Sequence, residues 1–114
     1  MVVKKRSRLS AADKEIYARQ VQICKAFANT TRLQMLDLLA HREWPVGDLQ
    51  KELQVSKPNL SQHLAILRGA GVISTRREGK HVYCTLAIPE VKQACKLIKG
   101  VLRAQLKRGQ KLAV

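Results

Sequence analysis

Residues 56–68 read Ser-Lys-Pro-Asn-Leu-Ser-Gln-His-Leu-Ala-Ile-Leu-Arg, and their chemistry is hydrogen bonding rather than catalysis. Asn59 and Gln62 each carry an amide whose donor and acceptor match the edge of adenine, and Ser61 suits a base or a phosphate. Ala65 is small enough not to hold a helix away from a groove. Lys57 before them and Arg68 after them suit phosphate oxygens. On a wheel of about 100° per residue, Leu60, Leu64 and Leu67 fall within an arc of about 60°. That arc is a core face, and Pro58, Asn59, Ser61, Gln62 and Ala65 point the other way. His63 lies beside the arc, where packing, a structural hydrogen bond and a DNA contact are all open to it. A second cationic group (Arg76, Arg77, Lys80 and His81) brackets Glu78 and Gly79 and suits a nucleic-acid backbone or a minor groove. There is no Gly-rich phosphate loop and no nucleophile with a base at recognisable spacing, and the eight Asp and Glu are scattered. An enzyme is not expected.

The wider charge pattern agrees with a polyanionic partner. The chain has 114 residues, enough for one domain, and 46% of them are hydrophobic but only 4% aromatic, so its core is aliphatic. Twenty-two Lys and Arg against eight Asp and Glu leave a formal charge of +14. Such a balance points to double-stranded DNA or another polyanion. Residues 91–114 carry seven basic groups and no acid, while residues 54–83 carry five against Glu78 and flank the Asn59–Gln62 motif. No run approaches the roughly 18 apolar residues of a membrane span, so no membrane partner is expected. Residues 1–10 are basic without a following apolar run, and read as a flexible arm rather than a secretory signal. Three widely spaced cysteines, Cys24, Cys84 and Cys95, argue against a disulfide scaffold or a zinc finger. A cytoplasmic protein is expected.

The elements that must position these groups follow from period and caps. A first helix runs from about Asp13 to Ala28 with Ser10 upstream as its N-cap, and Ile16, Gln20, Ile23 and Phe27 on one stripe. Thr30 or Thr31 caps a second helix, Arg32 to Ala40, whose crowding of leucines predicts burial on most sides. Residues 43–46 form an extended connector, since Pro45 disfavours a helical Trp44. A short third helix covers 47–53, Gln54-Val55 turns, and Ser56 caps a fourth helix over 57–68 that Gly69 or Gly71 closes. Residues 72–86 switch to β period as a hairpin, and a last helix spans 90–106. The fold class is therefore mainly α with a small β-hairpin, a winged helix–turn–helix over residues 11–106, between the arm and a basic tail at 107–114. The last helix keeps an apolar stripe from Val91 to Leu102 that so small a domain would hardly bury alone. This predicts a homodimer.

Phe27-Ala-Asn-Thr-Thr-Arg-Leu-Gln-Met-Leu36, Ser56-Lys-Pro-Asn-Leu-Ser-Gln-His-Leu64 and Leu67-Arg-Gly-Ala-Gly-Val72 together resemble the ArsR family of bacterial transcriptional repressors (the ArsR/SmtB type), and Arg77-Glu-Gly-Lys-His-Val-Tyr83 is similar to that family's wing. The resemblance covers roughly residues 15–106. It implies a homodimer joined through its first and last helices, a palindromic operator, and release from DNA by an effector. Two-fold symmetry would set the recognition helices about 34 Å apart.

The family's effector sites are not reproduced. Where soft-metal sensors place two cysteines near the third helix, this chain has Pro45 and Gly47. Of Ile88, Glu90, Val101 and Ala104, the positions of the ligands on the last helix, only Glu90 could ligate. The second-helix cysteine of sulfide and persulfide sensors is Asp37. Cys24 and Cys95 remain, on the two helices of the implied interface. They are either small packing residues or a pair that senses As(III), another thiophilic ion or an oxidant. Cys84, in a wing strand, reads as structural. Two other functions stay open: a nonspecific architectural DNA binder with structural cysteines, marked by a steep salt dependence, and a membrane-surface or protein-interaction module using the basic last helix.

Overall fold

The computed structural model describes residues 8–109. Its elements are α1 (Ala11–Phe27), α2 (Thr30–His41), β1 (Trp44–Pro45), α3 (Val46–Leu53), α4 (Lys57–Gly69), β2 (Ile73–Glu78), β3 (His81–Leu86) and α5 (Glu90–Lys107). Most of the expected arm, residues 1–7, and of the tail, residues 110–114, lies outside the described residues. Of the remainder, Ser10 caps α1 and Lys107 ends α5.

Local chemistry explains the boundaries. Ser10 Oγ accepts the Asp13 N–H at 3.1 Å while the Asp13 carboxylate accepts the Ser10 N–H at 2.9 Å, so a reciprocal box starts α1. These bonds hold the Asp13 carboxyl below its ordinary range. Asn29, not Thr30 or Thr31, caps α2: its Oδ1 accepts the Arg32 N–H at 3.0 Å, and the two threonines become the first helical residues. Ser56 caps α4 as expected, accepting the Asn59 N–H at 3.3 Å. Gly71, at φ +76°, ends it: Val72 N–H donates to Leu67 O and Gly71 N–H to Arg68 O. This is a Schellman closure with Val72 and Leu67 both in the core. The same bond pattern closes α3 with Gln54 at φ +54°, which makes the turn into α4.

The hairpin forms with Arg76 opposite Tyr83 and Arg77 opposite Val82, across a Gly79-Lys80 turn with Gly79 at φ +61°. A third strand joins it, a correction to the hairpin alone. Trp44 pairs with Cys84 and Pro45 with Tyr83, giving the antiparallel order β1-β3-β2. Proline fits there because β1 is an edge strand.

The core gathers Met35, Leu36 and Leu39 of α2, Leu49 of α3, Leu60, Leu64 and Leu67 of α4, and Val72, Ile73 and Cys84, with no buried polar or charged residue among the described ones. Helix α2 is less enclosed than its sequence suggests, since Leu33 is 42% exposed. Helices α1 and α5 bury one residue each, Ala26 and Val91. Ile16, Tyr17 and Val21 on α1 and Leu97, Ile98 and Val101 on α5 stand exposed. No described helix is long and apolar enough to cross a membrane.

Candidate nucleic-acid interface

Helix α4 carries the site because its two faces are so unequal. Leu60, Leu64 and Leu67 are buried, so the face bearing Asn59, Ser61, Gln62 and Ala65 turns outward and all four are exposed. The side chains of Asn59, Ser61 and Gln62 make no hydrogen bond among the described residues, which leaves their donors and acceptors available. Lys57 is exposed at the N-terminal end, where backbone N–H groups also point outward. At the other end, Arg68 donates to Thr75 Oγ1 at 3.3 Å and so ties α4 to the wing while staying exposed.

The structure separates the wing cations. Arg77 and Lys80 are exposed, Lys80 in the turn itself, and the His81 ring leans on Tyr83 with centroids 6.4 Å apart. Arg76 is not a free cation at the tip. Its Nη2 pairs with Glu43 at 2.6 Å, its Nη1 pairs with Glu78, and its guanidinium lies 4.5 Å from the Tyr83 ring centroid. The two carboxylates push its ionisation further up, and Arg76 in turn holds Glu43 below the ordinary range. A cation engaged in this way is a brace between the wing and the strand after α2.

His63 is also accounted for. Arg32 Nη1 approaches its Nδ1 at 3.2 Å, and since a guanidinium can only donate, a hydrogen bond here requires Nδ1 as acceptor and the ring proton on Nε2. Burial and the Arg32 charge both lower its pKa. Arg32 went unnoticed in the sequence, although a cation in the first turn of a helix opposes the helix dipole and so signals a tertiary partner. Glu43 gave no such signal.

The cysteines divide three ways. Cys84 is wholly buried and its thiol is pushed up to about 11 by burial. Cys24 is exposed on α1. Cys95 is half-buried on α5, its thiol also pushed up by burial, in a cleft of about 270 Å³ with Leu33, Asp37, Ile98, Lys99 and Leu102. Lys99 bonds Asp37 at 2.6 Å across the α2–α5 contact. All three thiols are free. No three His, Cys, Asp or Glu among the described residues converge as a metal site.

A three-stranded wing beside a capped helix with an open polar face defines a winged helix–turn–helix DNA-binding protein. Known proteins narrow this further. Residues 29–75 match the family described as "Bacterial regulatory protein, arsR family". The chain is 44% identical over 81 residues to the transcriptional activator HlyU of Vibrio cholerae serotype O1, covering 71% of this chain and 75% of that protein. It is 29% identical over 104 residues to the biofilm growth-associated repressor of Xylella fastidiosa, covering 90% and 91%. The structure of HlyU from Vibrio cholerae N16961 superposes with a TM-score of 0.71 at 41% identity, covering 77% of this chain and 96% of that one. A homodimeric winged helix-turn-helix DNA-binding domain from Mycobacterium bovis gives 0.80 at 27% identity, covering 95% and 100%. This chain belongs to the arsR family of bacterial regulatory proteins, and it is a transcriptional regulator rather than an enzyme.

Proposed function

We propose that the protein is a homodimer, joined through α1 and α5, that binds a palindromic operator and represses by occupying it. The observation that carries this is the open face of α4, where Asn59, Ser61 and Gln62 are exposed above three buried leucines. Each protomer presents one such face, and a two-fold axis would present a pair to successive major grooves. The apolar residues left exposed on α1 and α5 support the dimer, as does the homodimeric relative from Mycobacterium bovis. Lys57, Arg68, Arg77 and Lys80 would hold the phosphate backbone. His63 and Arg76 would act through neighbouring protein groups.

Selection from a random duplex library tests the reading. Enrichment of a palindrome whose half-sites lie about one helical turn apart supports it. Binding that enriches nothing and vanishes against competitor DNA replaces it with the architectural binder. Reporter transcription that rises with the protein would make it an activator.

Release by a thiol-directed agent belongs to the same reading. Cys24 is exposed on α1 and Cys95 opens into the α5 cleft, so the two thiols sit on the elements proposed to meet across the dimer. Operator binding measured with arsenite and then with a mild oxidant, beside Cys24→Ser/Cys95→Ser, decides it. Release that the double variant abolishes makes the pair a sensor, and binding indifferent to both agents makes the thiols packing residues.

A further inference from the structure

We infer that Arg32 and His63 form a positioning link that sets the recognition helix from the end of α1, and that protonating His63 releases it. The inference rests on the DNA-reading role of α4 proposed above.

Arg32 is held at three points. Its Nε donates to Ala26 O at 2.6 Å, its Nη2 donates to Lys25 O at 3.3 Å, and its Nη1 donates to His63 Nδ1 at 3.2 Å. The two carbonyls belong to the last turn of α1, at the negative end of the helix dipole, and Lys25 O also accepts the Ala28 N–H at 3.2 Å. One planar guanidinium thus joins the end of a proposed dimerisation helix to the DNA-facing helix, a geometry that a lysine cannot reproduce. His63 follows Gln62 directly and lies one turn beyond Asn59. A shift of the His63 ring therefore displaces both base-reading amides, whose hydrogen bonds weaken over a few tenths of an ångström.

The link needs a neutral ring. An imidazolium has no acceptor at Nδ1 and would repel the guanidinium. Of the elements packed on α4, the last turn of α1 brings Lys25, α2 brings Arg32, and β2 brings Arg76, Arg77 and Glu78, while α4 itself carries Lys57 and Arg68. Arg32 is the charge that acts on the ring, in the same direction as burial. No carboxylate offsets either.

The sign of the pH response separates this role from a DNA contact. If His63 touched phosphate, acidification would tighten binding. If it positions α4, acidification through its lowered pKa weakens binding. The probe is the duplex enriched from the random library, titrated from pH 8 to pH 5.5 with the intact protein and with His63→Gln. Glutamine keeps an acceptor without titrating, so the difference between the two proteins isolates the His63 ring. The wild type should lose about 3- to 10-fold in affinity relative to His63→Gln, the range one intramolecular hydrogen bond spans. Parallel profiles, or a relative gain, overturn the link. In the free protein, ring 15N shifts should show Nδ1 unprotonated at pH 7.5, with a midpoint that moves in Arg32→Lys. A proton on Nδ1, or a midpoint indifferent to Arg32→Lys, overturns it even without DNA. Failure to enrich any duplex would sink the operator reading instead, and the ring nitrogens would still decide this contact.

Discussion

The segment from α2 to β3 and the two helices that flank it follow different rules. Among the described residues, ten of the twelve buried hydrophobic ones lie between Met35 and Cys84, whereas the 17 residues of α1 and the 18 of α5 contribute one each. The middle supplies most of the core, with α4 packed against α1, α2 and β2. The flanks leave much of their apolar surface exposed, at Ile16, Tyr17 and Val21 on α1 and at Leu97, Ile98 and Val101 on α5. A helix in water gains most of its stability by packing an apolar face, so under the proposed dimer folding and assembly are written in separate parts of the sequence.

The most severe challenge to that contrast is Ile98→Glu/Val101→Glu on α5. The double variant should sediment as a monomer, keep its fold by circular dichroism, and lose about 10²–10⁴-fold in operator affinity as the second half-site is uncoupled. Unfolding instead would show that the middle does not stand alone. Leu67→Ala strikes the other side. It empties a fully buried site and should cost about 2–5 kcal/mol in denaturant unfolding. A loss under about 1 kcal/mol would mean that α4 is not anchored where the core places it. Gln62→Ala should leave stability unchanged and cost about 1–3 kcal/mol of binding at one operator position; an equal loss on every sequence would move Gln62 to phosphate. The smallest effect distinguishes two neighbouring arginines. Arg77→Ala should shrink the slope of log affinity against log salt by about 0.9, one phosphate contact, while Arg76→Ala leaves it unchanged. Equal slopes would make Arg76 a DNA contact despite Glu43 and Glu78.

Period and capping made α4 legible. Leu60, Leu64 and Leu67 repeat at helical spacing behind Ser56, and the buried side and the cap are where that repeat puts them. Trp44-Pro45 was not legible as a strand, because two residues carry no alternation and the proline argues against pairing except at an edge. The cap of α2 was expected at Thr30 or Thr31, and the adjacent Asn29, whose side chain can also accept a backbone N–H, takes that place. Arg32–His63 and Arg76–Glu43 join residues 31 and 33 positions apart, and such contacts exist only once the chain has closed. Arg76 was read as one of the wing cations from its place in the hairpin, and its pairing with Glu43 and Glu78 became visible only in the closed fold.

Cys84 gives the molecule a stopwatch. With no exposed surface and a thiol held up to about 11, it is sealed against bulky alkylating reagents while the core is shut, whereas Cys24 is exposed on the surface of α1. In Cys24→Ser/Cys95→Ser, every labelling event therefore records one opening of the core, and its rate under native conditions reads out how often that happens. Adding operator DNA and timing the same sulfur would show whether gripping a groove on one side of α4 quiets the leucines on the other.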